Sequence, residues 1–155
     1  MTGPQAVTPP SAERRAARRA SLRPASLAVL ILLIAQFGLG VGVNLYVTLP
    51  PAGQPGHSSW FGNGTLLATH SAIGMILILG AVFILVRAIM ARSVTLIVTS
   101  AAGLAAILAA AAFGSGFASK LTDGYSLGMA LAIAVALACY ATGLFAASAP
   151  GNRQP

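Results

Sequence analysis

The chain has 155 residues, of which 57% are hydrophobic and only 7% are charged, and its mean hydropathy is +0.85. A soluble domain carries about 25% charged residues, so this composition excludes a protein whose surface faces water and predicts a single-domain integral membrane protein. The net charge of +7 does not indicate nucleic-acid binding, because five of the nine basic residues form one N-terminal run and the others flank apolar segments, a pattern typical of contact with anionic lipid headgroups.

Residues 1–23 are predicted to form a basic, largely disordered cytoplasmic tail, because they contain several prolines and few large apolar side chains. Residues 13–21 have the composition of a short basic helix that lies on the lipid headgroups. The segment from Arg18 to Arg23 loosely resembles a twin-arginine export signal. However, the apolar run that follows is longer than the core of a signal peptide, which favours the tail over the signal.

Helix 1 is predicted over about residues 25–49. Gly38 and Gly42 form a GxxxG pair, which allows another helix to approach closely. Gln36 and Asn44 carry amides that need hydrogen-bond partners inside lipid. We therefore expect both amides to face protein.

Helix 2 is predicted over about residues 66–90, with His70 near its start and Arg87 near its end. A helix of this length covers about 37 Å, which is enough to cross a hydrocarbon layer of about 30 Å with some tilt. Arg87 and Arg92 flank a very short connection to the next apolar segment. Helices 2 and 3 are therefore predicted to form an antiparallel hairpin.

Helices 3 and 4 are predicted over about residues 94–113 and 124–147, and the sequence Gly114-Ser115-Gly116 is expected to end helix 3. Each helix carries small residues at four-residue spacing, which predicts close helix packing. The alternative is that alanine is simply common in the source proteome. The two ridges consist of Ala102, Ala106, Ala110 and Gly114 in helix 3, and of Gly124, Gly128, Ala132 and Ala136 in helix 4.

The distribution of basic residues predicts the orientation. With the N-terminus inside the cell, all eight arginines lie on the cytoplasmic side and only Lys120 lies outside. The predicted fold is thus an all-α, four-transmembrane-helix antiparallel bundle with up-down-up-down topology, and residues 148–155 form a short cytoplasmic tail. The arginine-rich, alanine-rich and glycine-rich composition indicates a bacterium, and hence a multi-pass protein of its plasma membrane.

Alignment of the four helices by depth places polar residues in one layer near the outer face. This outer polar layer consists of Asn44, His70, Tyr125 and Ser126. The middle and inner layers contain few other polar side chains. Any binding site is therefore expected to open outward.

His70 is the sharpest candidate for a ligand-binding residue. Gly74 follows one helical turn later and leaves a flat space beside the imidazole, where a porphyrin edge fits, and imidazole is the usual axial ligand of haem. Met129 at matching depth, or a second His70 across a dimer, would complete the iron coordination. The Thr69-His70…Gly74 pattern is similar to four-helix b-type cytochromes and to the half-domains of haem A synthases, which implies haem b as cofactor.

Two observations count against haem. The similar bundles generally use two histidines per haem, whereas His57 lies in a Pro/Gly-rich loop. The alternative is an interfacial His70 that is hydrogen-bonded to Asn44, Tyr125 or water. A metal site of His57, His70 and Asp123 is a third hypothesis, but two histidines alone form an incomplete site.

The sequence lacks the residues that several functional classes require. No Asp or Glu lies within a predicted membrane segment, which disfavours proton-coupled transport. No Ser-His-Asp group, phosphate loop or nucleophile elbow is present. No ring of polar residues runs the full depth of the membrane, as a pore would need. The protein is thus expected to be non-enzymatic.

Three short motifs suggest a family resemblance. They are residues 44–50, residues 69–74 and Gly114-Ser115-Gly116. Together they resemble a group of uncharacterised small membrane proteins of actinobacteria, which implies an integral membrane protein without an assigned activity. The leading functional prediction is an accessory or scaffold subunit in the lipid bilayer, which forms a homo-oligomer or joins a larger membrane complex. Haem binding through His70 is the alternative.

Overall fold

A computed structural model of the chain describes residues 17, 21–46, 64–120 and 123–148. The described residues form four long helices and no strand, which confirms the all-α fold. They are α1 (Leu22–Tyr46), α2 (Thr65–Met90), α3 (Val94–Lys120) and α4 (Asp123–Ser148). Most of the N-terminal tail, the loop that contains His57, and residues 149–155 lie outside the described residues.

Each helix has the length and composition of a membrane span. The four helices contain 25, 26, 27 and 26 residues, and about 20 apolar residues suffice to cross the hydrocarbon layer. Many of their large apolar side chains are exposed on the outer surface of the bundle, where water would make them unfavourable and lipid does not. The chain is an integral membrane protein of the multi-pass type.

The helices form a four-sided bundle. Both α1 and α3 pack against α2 and α4, and the contact between α3 and α4 is the most extensive. The diagonal pairs, α1 with α3 and α2 with α4, make no contact among the described residues. The connections of three residues between α2 and α3 and of two residues between α3 and α4 force these consecutive helices to be antiparallel neighbours.

The end of α3 corrects one sequence prediction. The helix continues through Gly114-Ser115-Gly116 to Lys120 instead of ending at Phe113. The Ser115 hydroxyl donates a hydrogen bond to the carbonyl of Ala111, 2.9 Å away. Glycine within a helix costs only about 1 kcal/mol relative to alanine, whereas each unsatisfied backbone group in lipid costs several. The environment therefore overrides the local signal.

The ends of α1 also differ from the prediction. The helix begins at Leu22, which places Pro24 in its first turn, where a missing N–H has no cost. It is described as far as Tyr46, and the last predicted residues, 47–49, lie outside the described part. The predicted limits of helices 2 and 4 agree with α2 and α4 to within one residue.

One half of the bundle is tightly packed, and we name it the closed half: residues 22–33, 81–90, 94–103 and 136–148. Its centre is built from fully buried side chains such as Leu33, Ala81 and Ala136, each 0% exposed. Gly103 lies directly under the Tyr140 ring, so that a Cβ atom there would be 2.7 Å from Tyr140 Cε2. Small residues thus bring the helices of this half into contact.

The α2–α3 turn closes this end of the molecule. The amide of Ala91 donates to the Arg87 carbonyl and that of Arg92 to the Ile89 carbonyl, both at 3.0 Å. Arg92 has a φ of 50°, in the left-handed region. The guanidinium of Arg87 donates through Nη2 to the Ser21 hydroxyl at 2.6 Å. A single side chain therefore connects the end of α2 to the start of α1.

Candidate ligand cavity

The other half of the bundle contains a cavity of about 880 Å³. We name this part the open half: residues 36–46, 65–78, 107–120 and 123–133. All four helices contribute to the cavity wall, which is mostly apolar. A space of this size is within the range of about 300–1,000 Å³ that is typical of small-molecule sites.

The cavity opens towards the surrounding lipid. Its lining includes exposed side chains of three helices, among them Phe37 of α1, Met75 of α2 and Ala111 of α3. The lining residues of α4 are half-buried or buried, as Met129 and Ile133 show. Helix α4 therefore forms the back wall, and the other three helices form the rim.

A hydrogen-bonded pair of side chains crosses from α1 to α2 at the cavity wall. The amide nitrogen of Gln36 donates to the His70 carbonyl at 2.9 Å and lies 3.3 Å from His70 Nε2. If the side-chain amide of Gln36 were turned by 180°, its oxygen would face the backbone carbonyl oxygen of His70, and two acceptors would repel each other. The NH₂ group of Gln36 therefore faces His70. Nε2 is then the acceptor, and the imidazole is the neutral tautomer with its proton on Nδ1.

Three polar atoms of the same wall are buried without a hydrogen-bond partner in the described part of the chain. They are Gln36 Oε1, His70 Nδ1 and Ser71 Oγ. The Gln36 side chain is only 7% exposed. Each unpaired buried polar group costs about 1–3 kcal/mol, and three such atoms on residues of one cavity wall make this wall the candidate binding surface.

Three glycines on three helices lie directly against His70, Gln36 and Met129. A Cβ atom at Gly40 would lie 3.2 Å from His70 Cε1 and 4.0 Å from Met129 Cε, and one at Gly74 would lie 3.2 Å from Gln36 Nε2. A Cβ atom at Gly114 would lie 3.5 Å from Met129 Sδ. A side chain at Gly40 or Gly74 would therefore displace His70 or Gln36.

The structure distributes the predicted outer polar layer over two places. Asn44, His70 and Ser126 all line the cavity. Tyr125 instead packs on Gly116, with its ring centroid 6.5 Å from that of Phe113. The hydrogen-bond partner of His70 is Gln36, which corrects the expectation of Asn44 or Tyr125 as its partner.

The two candidate haem ligands approach the same point. Both His70 and Met129 lie within 4.0 Å of the position that a Gly40 Cβ would occupy. However, His70 Nε2 accepts a hydrogen bond from Gln36 and Nδ1 carries the proton, so neither ring nitrogen offers a free lone pair. The side chains as they stand do not fit an axial haem ligand, and ligation would require Gln36 to turn away from His70.

The metal hypothesis finds no support among the described residues, where no group of three or more His, Cys, Asp or Glu side chains could hold an ion. His57, one member of the predicted set, lies outside the described part. Asp123 lies at the start of α4. The single cysteine, Cys139, is half-buried and does not line the cavity.

The predicted small-residue ridges take different positions. Three of these residues are buried, namely Ala106, Ala110 and Ala136, and Ala132 is half-buried. Gly114 lies against Met129 and Gly128 against Phe113. Gly42 lies beside Leu66. Gly38, Ala102 and Gly124 are exposed. No atom lies within 4 Å of a Cβ built at Gly38 or Gly124. These exposed positions do not contribute to packing within the described chain.

Sequence analysis missed two residues of the site, Gly40 and Ser71, and the contact between Gln36 and His70. Gly40 lies one turn after Gln36 and therefore on the same face of α1, a spacing that could have indicated its role. Ser71 gave no signal, since it is one of several hydroxyl side chains near helix ends. The pairing of Gln36 with His70 depends on the lateral position of α1 against α2, which no local pattern encodes.

Known proteins provide no guide to this arrangement. The chain matches no protein-family model, no curated protein and no solved structure. The resemblances to actinobacterial membrane proteins and to haem bundles therefore remain predictions. The function of this integral membrane protein has to be argued from the cavity and its polar wall.

Proposed function

We propose that this integral membrane protein binds a membrane-dissolved amphipathic molecule in the cavity of the open half, without covalent chemistry. The observation that carries the proposal is the cavity of about 880 Å³, whose wall contains the buried and unpaired polar atoms of Gln36, His70 and Ser71.

The shape and chemistry of the cavity suit a lipid-like ligand. The exposed rim on α1, α2 and α3 gives access from the bilayer, so a ligand need not cross water. The apolar walls match a hydrocarbon chain, which gains dispersion contacts when it fills an otherwise empty space. The polar wall offers hydrogen bonds that a pure hydrocarbon would leave unused.

The lining also supports a binding role over a catalytic one. The described lining residues include no carboxylate, lysine or cysteine, so no pair of titratable groups is available for acid and base steps. His70 is the only titratable residue among them, and its Nε2 accepts a hydrogen bond from Gln36. Ligand binding is therefore the simplest use of this site.

We propose that the protein binds this ligand as an accessory subunit, packed against a second copy of itself or within a larger membrane complex. Gly38 is exposed, and no atom lies within 4 Å of its built Cβ, which leaves room for a helix of a second copy or of a larger complex. The predicted location in a bacterial plasma membrane with cytoplasmic termini belongs to the same proposal. It is supported by Arg23, Arg87 and Arg92, which lie at the end of the bundle opposite Lys120.

Photolabelling tests the proposed binding. The probe is a sixteen-carbon alcohol with a diazirine in its chain, added to the purified protein in lipid nanodiscs. Mass spectrometry is expected to find labels on the lining segments 36–45 and 70–78. Gly40→Leu, which displaces His70 from the cavity wall, should reduce this labelling about tenfold, whereas the matched variant Gly38→Leu should leave it unchanged. Equal labelling of both variants would contradict the proposal.

Haem binding is the second candidate, favoured by the common approach of His70 and Met129 to Gly40. It requires displacement of Gln36, so Gln36→Leu should increase haem retention and His70→Ala should abolish it. The visible spectrum of protein purified after expression with sufficient haem measures both effects. A wild-type protein and a Gln36→Leu variant that both lack a Soret band would exclude this candidate.

A further inference from the structure

We infer that the polar end of the ligand is an uncharged hydroxyl group, so that the cavity selects a lipid alcohol, such as a long-chain or isoprenoid alcohol, over charged lipids. This inference rests on the proposed function and specifies the ligand class of the same cavity. It follows from the charge of the wall, from the hydrogen-bonding character of the unpaired atoms and from the space around them.

The first argument is charge. None of the described lining residues is Asp, Glu, Lys or Arg, and His70 is neutral because its Nε2 accepts from Gln36. Gln36 lies within one turn of the midpoint of α1, well below the headgroup level. A carboxylate or ammonium group at this depth would have no counter-charge, and its desolvation would be costly.

The second argument is hydrogen-bond complementarity. Gln36 Oε1 can only accept, and the Nδ1–H group of His70 can only donate. A hydroxyl group donates one hydrogen bond and accepts others, so its hydrogen-bonding character matches both atoms. An ether or a ketone only accepts and would leave Gln36 Oε1 unpaired. The Ser71 hydroxyl adapts to either role.

The third argument is space. The three unpaired atoms are covered by their neighbours, so a ligand reaches them only through a small turn of the side chains. The positions beside Gln36 and His70 are occupied by Gly74 and Gly40, and a single Cβ atom there would already approach these side chains to 3.2 Å. The backbones of α1 and α2 are therefore already in contact with these side chains, and a group that reaches the polar atoms has to be small, as a hydroxyl is and a phosphate or a sugar is not.

Competition between headgroups tests the inference. Sixteen-carbon competitors that end in a hydroxyl, a methyl ether, a carboxylate or a trimethylammonium group are added against the photoactivatable alcohol. The alcohol is expected to compete about tenfold better than the methyl ether, and about a hundredfold better than either ion. Equal competition by all four, or stronger competition by an ion, would overturn the inference.

A variant of Gln36 and a matched control test whether the polar wall of the cavity causes the preference for the alcohol. Gln36→Leu removes the acceptor, so the preference for the alcohol over the ether should fall to about twofold. Ser100→Ala removes a buried hydroxyl in the closed half and should leave the preference intact. If Gln36→Leu fails to fold, as judged by gel filtration, the wild-type competition series alone decides the question.

The labelling and competition data together distinguish a failure of the proposed hydroxyl preference from a failure of the proposed binding site. Headgroup-independent labelling that Gly40→Leu still blocks would refute the hydroxyl preference and support the cavity as a binding site. Labelling that Gly40→Leu leaves unchanged would refute the binding site itself, and the hydroxyl preference with it.

Discussion

The closed and open halves of the bundle are built from the same four helices, yet one half is packed and the other contains a cavity. They also differ in glycine content, since the closed half contains only Gly103 and Gly143 whereas the open half contains eight glycines. In the closed half, Gly103 lies under Tyr140 and Gly143 lies against Thr99, whose hydroxyl is satisfied by its own helix through the Thr95 carbonyl. In the open half, Gly40 and Gly74 lie beside polar side chains whose hydrogen-bonding capacity is only partly used.

The comparison teaches that a small residue in a membrane helix only permits close approach. Whether packing or a cavity results depends on the side chain that the neighbouring helix presents. A large ring such as Tyr140 fills the gap above Gly103, and the rings of Tyr125 and Phe113 do the same above Gly116 and Gly128 in the open half. At the cavity itself, Met129 leaves ordinary van der Waals distance above Gly114.

The largest expected effect comes from two alanine substitutions on α3, one in each half. Gly103→Ala places a Cβ atom 2.7 Å from the buried Tyr140 ring and should lower the unfolding free energy by about 1–3 kcal/mol. In Gly114→Ala the new Cβ atom lies 3.5 Å from Met129 Sδ, which is an ordinary contact. The unfolding free energy should change by less than about 0.5 kcal/mol, or rise because alanine has the higher helix propensity. Denaturant titration in micelles, followed by circular dichroism, measures both. Equal losses would break the comparison.

A smaller effect is expected from the Tyr140 hydroxyl, which is buried without a partner among the described residues. In Tyr140→Phe the ring still fills the space above Gly103, and the unpaired hydroxyl disappears. The unfolding free energy should therefore rise by about 1 kcal/mol. Tyr125→Phe in the open half is the matched control and should have little effect. A loss of stability in Tyr140→Phe would indicate that the hydroxyl has a partner after all.

The smallest effect is expected at the turn that closes the packed half. Arg92 adopts a φ of 50°, where a glycine has no steric penalty. Arg92→Gly should raise the unfolding free energy by about 0.5–1 kcal/mol, while Arg92→Ala should not. The same titration in micelles distinguishes these variants, and a destabilised glycine variant would show that the arginine side chain stabilises the turn more than its backbone strain costs.

Much of the fold could be predicted because lipid leaves few choices. Long apolar segments with few charges must form helices, since every backbone group has to be satisfied within its own segment. The same constraint explains the one clear failure, at Gly114-Ser115-Gly116, where rules for breaking helices in water were applied to a segment in which the helix continues. The short connection between helices 2 and 3 predicted their antiparallel order for an equally local reason.

The candidate site was predictable only in part. His70, Met129 and Gln36 were noticed because polar or polarisable side chains are rare in apolar helices, and depth alone placed His70 and Met129 in one layer. Depth could not show that Gln36, assigned nearer the membrane centre, reaches the ring and the carbonyl of His70. It also could not show that Gly40, and not Gly38, faces the partner helices.

The sequence by itself determined that the chain is a membrane protein of four helices in alternating directions, because length, hydropathy and connection length act along the chain. Only the tertiary structure decided which faces of those helices meet, and hence that one half is packed while the other holds a cavity with an unsatisfied polar wall. Rotation of a helix about its own axis changes every such contact and leaves its hydropathy unaltered.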